Sequence, residues 1–265
     1  MPTKQFCLAM VTKEGIVENW LPRYTGVALK DFGEYILLTN FNDYLNKFAR
    51  WNRVKVQGKG KPMPTATADN ITMINFGMGS ANAASIMDLL TAINPKGVLF
   101  LGKCGSLKSD MPIGSFLLPI AAIRGEGTSN DYFPPEVPAL PAFELQRATS
   151  EAIRDQEQDY YTGVAYTTNR RVWEHDEEFK DYLTKIRCNA IEMETATIFS
   201  VGFNNRIPTG ALLLVSDEPM IPEGIKTEES DAMVNQNFTS THVKIGIEAL
   251  KQLAESKASI KHLIF

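Results

Sequence analysis

Glu192 and Glu194 flank a single methionine, Met193, inside Ala190 to Val201, where the apolar pattern turns from strand-like to helical. From Thr195 onward, Ala196, Ile198, Phe199 and Phe203 recur at roughly helical spacing. A strand-to-helix junction at the edge of an α/β sheet is where such folds put ligand groups. An ionised carboxylate is an acceptor-only group with two oxygens, so each of the pair can grip a sugar hydroxyl. The competing reading makes Glu194 an electrostatic partner of the helix start and leaves Glu192 in solvent. Another carboxyl, Asp217, follows Ser216 after the apolar run Ala211 to Val215, where partial burial disfavours the charged form. An ordinary loop aspartate after a strand is the alternative there.

The cationic candidates are scattered. Lys103 lies between glycines in Gly102-Lys103-Cys104-Gly105-Ser106, beside backbone amides that could form an anion-binding nest. It is not a P-loop, because the lysine precedes the glycine spacing that motif needs. Phe76-Gly77-Met78-Gly79-Ser80 ends a strand with two glycines that let the backbone approach a ligand; the same residues also make a plain turn with Ser80 as helix N-cap. Arg124 leaves a strand in Arg124-Gly125-Glu126-Gly127-Thr128-Ser129, and Arg170, Arg171 and Trp173 follow another. For Arg170 a charged surface loop is the alternative. His175, His242 and His262 are far apart, which argues against a histidine metal centre, and no metal site or cofactor is expected.

The elements that must position these residues alternate. Strands are expected at Glu34 to Thr39, Ile71 to Asn75, Gly97 to Leu101, Ser115 to Ile123, Tyr160 to Thr168 and Ile207 to Val215. Helical periodicity falls between them, at Asn40 to Trp51, Ala81 to Ala92, Phe143 to Gln156 and Asp176 to Arg187, with a long amphipathic helix closing the chain at Asn237 to Leu253. Tyr132 to Pro141 reads as an extended loop, and Glu223 to Asp231 as polar and mobile. Alternation of this kind implies a three-layer α/β/α domain around a mostly parallel twisted sheet. Residues 1–33 read as a peripheral segment, with Val17, Trp20, Leu21, Tyr24 and Val27 on an amphipathic piece, and 34–265 as the catalytic domain.

Composition narrows the function classes. The chain has 265 residues, 44% of them hydrophobic, enough for one substantial core. A net charge of -4 gives no basic field, so nucleic acid is not an expected partner. No run approaches the roughly 18 apolar residues that a membrane span needs. The short apolar patch Phe6 to Val11 carries no convincing cleavage signal. Cys7, Cys104 and Cys188 are odd in number and unclustered, which fits a reducing cytoplasm.

Glu192-Met193-Glu194-Thr195-Ala196 resembles the Glu-Met-Glu-Ala-Ala segment of the nucleoside phosphorylase and nucleosidase superfamily, and Val215-Ser216-Asp217 resembles that family's Val-Ser-Asp. The likeness is closest to the AMP nucleosidase branch. Four segments carry it: Asn75 to Ser80, Leu101 to Gly105, Ala122 to Ser129 and Thr168 to Glu174. The resemblance implies hydrolysis of AMP to adenine and ribose 5-phosphate, with AMP as the small-molecule partner. It implies Asp217 as the acid that protonates purine N7 and Glu194 as the carboxylate holding the ribose 2′- and 3′-hydroxyls. Glu192 and Met78 fall within the matched segments, Met193 would pack on the sugar, and Ser216 would orient the base or Asp217. Lys103, Arg124, Arg170 and Arg171 are the candidates for the 5′-phosphate, and Arg171 or Trp173 for stacking on adenine. Longer members of the branch carry an N-terminal regulatory domain that this chain is too short to hold. A homo-oligomer, a hexamer built from dimers, is also implied.

Two departures separate the chain from phosphorylases of that superfamily. Those enzymes usually carry Pro-Gly-Asp-Pro-x-Arg after the first strand, where this chain reads Thr39-Asn40-Phe41-Asn42-Asp43-Tyr44; a second phosphate-binding arginine is replaced by Phe100. A desolvated orthophosphate would lose two cationic ligands, so water is the expected nucleophile. No side chain is identified that would activate it. A purine nucleoside phosphorylase is the enzyme alternative. A nucleotide-binding regulatory protein without turnover is the other, and retention of both Glu194 and Asp217 argues against it.

Overall fold

The computed structural model describes residues 12–256; Phe6 to Val11, with Cys7, and His262 lie outside them. Eight strands form one sheet there: β1 (Tyr35–Thr39), β2 (Thr65–Ala68), β3 (Ile71–Asn75), β4 (Gly97–Ser106), β5 (Phe116–Gly125), β6 (Tyr161–Thr168), β7 (Ala190–Glu192) and β8 (Thr209–Asp217). Their order is β2-β3-β1-β4-β7-β6-β5-β8, and β8 also pairs back onto β4. Pairs β1–β3, β1–β4, β4–β8, β5–β6 and β6–β7 are parallel, so the sheet is mostly parallel; β2–β3, β4–β7 and β5–β8 are antiparallel. The β4–β8 pairing closes β4, β7, β6, β5 and β8 into a ring, leaving β2, β3 and β1 as an open wing.

Strands with both faces covered read as continuous apolar runs. Ile36, Leu38, Val98, Phe100, Leu213 and Val215 point to one core; Leu37, Leu99, Leu101, Leu212 and Leu214 point to the other. Helices α1 (Lys13–Thr25), α3 (Ser80–Leu89) and α6 (Thr195–Asn204) cover the first face through Leu21, Ile86, Met87, Ile198 and Phe199. Helices α2 (Asn42–Trp51), α4 (Phe143–Asp155) and α8 (Thr239–Glu255) cover the second through Phe48, Leu145 and Leu250. The result is the expected three-layer arrangement. Helix α5 (Glu177–Lys185) packs Leu183 into a smaller cluster with Trp173, Tyr166 and Ile191. No helix among the described residues is long and apolar enough to cross a membrane.

Two local expectations are corrected. Strand β4 does not stop at Leu101 but continues to Ser106, because β8 pairs along it as far as Gly105 and β7 pairs with Gly105 and Ser106. The polar stretch from Glu223 is also ordered into structure: Pro222–Gly224 forms a 3-10 turn and α7 (Glu228–Asn237) begins within it. Thr227 and Ser230 form a reciprocal cap that satisfies the first amides of that helix.

His242 on α8 is fully buried, its Nδ1 2.9 Å from the Tyr44 hydroxyl and its Nε2 3.0 Å from the Leu212 carbonyl. A carbonyl only accepts, so Nε2 carries the proton and Nδ1 accepts from Tyr44. Burial holds the ring neutral and lowers its pKa from 6.5 to about 3. The unfolded chain therefore binds a proton that the folded one refuses as pH falls below 6.5. The stability contribution is present above that pH and is lost as pH falls toward 3. Between pH 7 and pH 5 the wild type is expected to lose about 2 kcal/mol from this group. His242→Gln keeps a donor and an acceptor without titrating, so its urea midpoint should lack that portion of the acid slope. Equal slopes in the two proteins would exclude His242 as the source.

Candidate active site

The C-terminal ends of β1, β4, β6 and β8, together with β7, converge on a solvent-open cleft of about 670 Å³. This is where an α/β sheet places its ligands. The cleft brings together Glu192, Met193, Glu194, Ser216, Asp217 and Lys103 from separate strands, and Met78, Arg170, Arg171 and Trp173 also line it.

Backbone irregularity aims the acidic groups. Along β4 and β8, Cys104 pairs with Val215 but Gly105 pairs with Asp217, so Ser216 is the extra residue of a bulge. A Cβ on Gly105 would lie 3.1 Å from Asp217 Oδ2 and 2.8 Å from Pro219 Cγ; glycine is what lets the chain leaving β8 settle there. The Ser216 hydroxyl donates to Asp217 Oδ1 at 2.6 Å. Burial pushes the Asp217 pKa above the usual carboxylate range, outweighing that hydrogen bond and the positive charges of Lys226 and Arg171.

Glu192 and Glu194 have different jobs. Glu192 Oε2 accepts the amides of Glu194 and Thr195, each at 2.7 Å, while its Oε1 accepts from the Thr167 hydroxyl. Thr167 in turn accepts the Ala196 amide at 2.8 Å. Glu192 lines the cleft, and three donors to its oxygens fix the first turn of α6. Glu194 is 2% exposed, and its Oε1 accepts the Gly79 amide at 2.6 Å. Gly77 (φ 83°) and Gly79 (φ 94°) adopt a backbone that other residues rarely reach, and this turns the Gly79 amide toward Glu194. Ser80 is not the N-cap: Gly79 is, and the Ser80 hydroxyl lies 2.7 Å from that of Thr128. Burial raises the pKa of both carboxyls, and the Glu192 charge adds to the rise of Glu194.

The cations are distributed otherwise than expected. Lys103 does line the cleft, yet its ammonium donates to Asp231 at 2.9 Å and Asn235 at 2.8 Å and lies 4.6 Å from the Phe41 ring centre. The amides beside it belong to the β4 ladder, so no nest forms. Gly102 is paired with Leu213 inside that ladder and does not line the cleft; a Cβ there would lie 2.6 Å from the Phe100 ring. Arg124 is also absent from the cleft. Its guanidinium is consumed by Ser129, Asn130 and the carbonyls of Phe133, Pro134 and Val137, which shape the loop after β5. Arg170 pairs with Asp176 at 2.8 Å and lies over Phe179, whereas Arg171 makes a looser 3.5 Å pair with Glu174. Trp173 is 4% exposed and set edge-on to Phe179, a rigid apolar wall.

Several lining groups were not singled out as site residues from sequence. Asn40 and Phe41 stand just beyond β1, a position that strand assignment alone could have flagged. Lys226 has no such signal. It comes from the segment after β8, and its ammonium lies 3.4 Å from Ser216 Oγ and 2.9 Å from Asp231.

A mostly parallel sheet closed into a ring, with an aspartate at the end of one strand and a buried glutamate at a strand-to-helix junction, frames the cleft. Residues 35–254 match the phosphorylase superfamily, and the chain belongs to it. The crystal structure of AMP nucleosidase from Bacteroides thetaiotaomicron VPI-5482 is 56% identical, covers 93% of this chain and 99% of its own, and superposes with a TM-score of 0.84. The AMP nucleosidase of Escherichia coli K12 is 29% identical across 88% of this chain, which spans only 57% of that longer protein. Uridine phosphorylase of Treponema pallidum is 26% identical over 87% of this chain and 93% of its own.

Proposed function

We propose that this chain is an AMP nucleosidase, cleaving the N-glycosidic bond of AMP with water to give adenine and ribose 5-phosphate. The observation that carries the reading is the presence of two carboxyls on one cleft, Glu194 buried and Asp217 partly buried, both with raised pKa values. Cleavage of the C1′–N9 bond leaves positive charge on the ribose and negative charge on the purine. Protonated Asp217 gives its proton to N7 as the bond breaks, so the base departs neutral. Ionised Glu194 accepts the ribose hydroxyls and offsets the developing positive charge. Water adds at C1′ and releases a proton, which restores the balance. The similarity to a protein named AMP nucleosidase over nearly the whole of both chains supports AMP as the substrate. The catalytic unit is residues 34–265, to whose core α1 adds Val17 and Leu21, and it acts in the cytoplasm as a hexamer built from dimers. Val172, 71% exposed, and Met78, 57% exposed, are apolar side chains that a neighbouring copy would cover.

Water rather than orthophosphate is favoured by what fills the two positions where superfamily phosphorylases are expected to carry arginine. Tyr44 is fully buried and bonded to His242, and Phe100 is buried with its ring 5.8 Å from that of Phe76. Neither offers a cation to a desolvated dianion, and the two lysines of the cleft are already paired with Asp231. Adenine release from AMP is therefore expected to run at full rate in phosphate-free buffer, with AMP preferred over adenosine by at least about tenfold in kcat/KM. The assay follows adenine and the sugar product while orthophosphate is titrated. Strict dependence on orthophosphate, with ribose 1-phosphate formed from adenosine, would overturn the hydrolase reading.

A further inference from the structure

Asp231 sits between two ammonium groups, 2.9 Å from Lys103 and 2.9 Å from Lys226. Lys103 rises from the sheet floor with only 3% of its side chain exposed, whereas Lys226 and Asp231 are 25% and 37% exposed. Both lysines line the cleft, and Asp231 and Asn235 reach them from α7. That helix is otherwise lightly held, since Val234 is its one buried residue. A carboxylate flanked by two ammonium groups has the donor arrangement that a phosphate monoester would use. Two lysines and one aspartate leave a net charge of +1, too little for a dianion unless the carboxylate gives way.

We propose that Lys103 and Lys226 form a phosphate-monoester subsite whose anion position Asp231 fills from within the chain. A substrate phosphate takes the two ammonium groups from Asp231, and the aspartate sets how strongly an anion must bind to enter. This deepens the proposed function and rests on its reading of the substrate as a nucleoside 5′-phosphate. It also gives Lys226 a role in selecting nucleotide over nucleoside.

The test uses the full chain and four probes: AMP, ribose 5-phosphate, adenosine and orthophosphate, with affinities read by calorimetry. Asp231→Asn keeps an oxygen for Lys103 and removes the competing charge. It should bind AMP and ribose 5-phosphate about tenfold more tightly and leave adenosine unchanged, as expected when a like charge is taken from an anion's site. Asp231→Glu keeps the charge and should stay near wild type. Lys226→Met should lose about tenfold in ribose 5-phosphate affinity with adenosine again unmoved, so the idea stays testable if an Asp231 variant folds poorly. Weaker or unaltered binding of both phosphate esters by Asp231→Asn overturns the proposal, as does unaltered ribose 5-phosphate affinity in Lys226→Met. A gain for orthophosphate but not for ribose 5-phosphate assigns the subsite to free phosphate and overturns the monoester assignment. Absence of adenine release from AMP by the wild type counts against the nucleosidase reading alone, because ribose 5-phosphate binding still reports on the subsite.

Discussion

Asp217→Asn is expected to lower kcat for adenine release from AMP by about 10²- to 10⁴-fold, the range a positioned general acid contributes. The affinity for AMP should change little. Asparagine keeps an oxygen for the Ser216 hydroxyl, which donates to Asp217 at 2.6 Å, so the bulge that aims residue 217 should survive. What it removes is the transferable proton. The loss should therefore fall on the transition state, on kcat and kcat/KM together. Burial keeps the acid form of Asp217 populated above the usual carboxylate range, against the pull of Ser216, Lys226 and Arg171. Single-turnover rates and equilibrium binding, measured side by side, check this. Turnover near wild type would remove Asp217 from the mechanism.

Most of what is local was legible in the chain. The switch from β7 to α6 is written in apolar spacing that changes period at Thr195, and the partial burial of Asp217 follows from the apolar run before it. Long-range pairing was not legible. Nothing in Leu101 to Ser106 states that β8 will lie alongside it, yet that pairing extends β4, closes the ring and turns a supposed glycine nest into ladder. Arg124 was misplaced for a related reason: four of its partners are backbone carbonyls, which carry no residue-type signal. The same holds for Glu192, since two of the three donors to its oxygens are main-chain amides that no residue type announces. Lys103 is committed to Asp231 on α7, from a stretch whose polar composition reads as loop and whose helix becomes visible only through the Thr227–Ser230 cap.

Glu192 fixes the backbone that carries Glu194, yet its charge works against the ionised form of that neighbour. A carboxylate at residue 194 sits beside another buried carboxylate, so its ionisation is opposed by burial and by Glu192, and only the Gly79 amide, the Met193 amide and Asn40 favour it. Ribose hydroxyls add donors to the charged form, so substrate binding and ionisation of Glu194 reinforce each other. The sign for activity follows. Ionised Glu194 has both oxygens free of protons to accept from the hydroxyls and sets a full negative charge against the ribosyl cation, so kcat/KM should rise with pH through a step displaced above the ordinary carboxylate range. Glu194→Gln keeps the shape, replaces one acceptor oxygen with a donor and abolishes the charge. We expect it to lower kcat/KM by about 10²- to 10³-fold, comparable to losing a preorganised electrostatic contact at a developing charge, and to erase that pH step. The sugar supplies an independent check, since 2′-deoxy-AMP lacks one hydroxyl that Glu194 should hold. Wild type should hydrolyse it more slowly than AMP, and the gap should narrow in Glu194→Gln because the contact is already damaged. Equal rates for the two nucleotides in the wild type, or a variant that retains the pH step, would sink the assignment of Glu194 to the ribose.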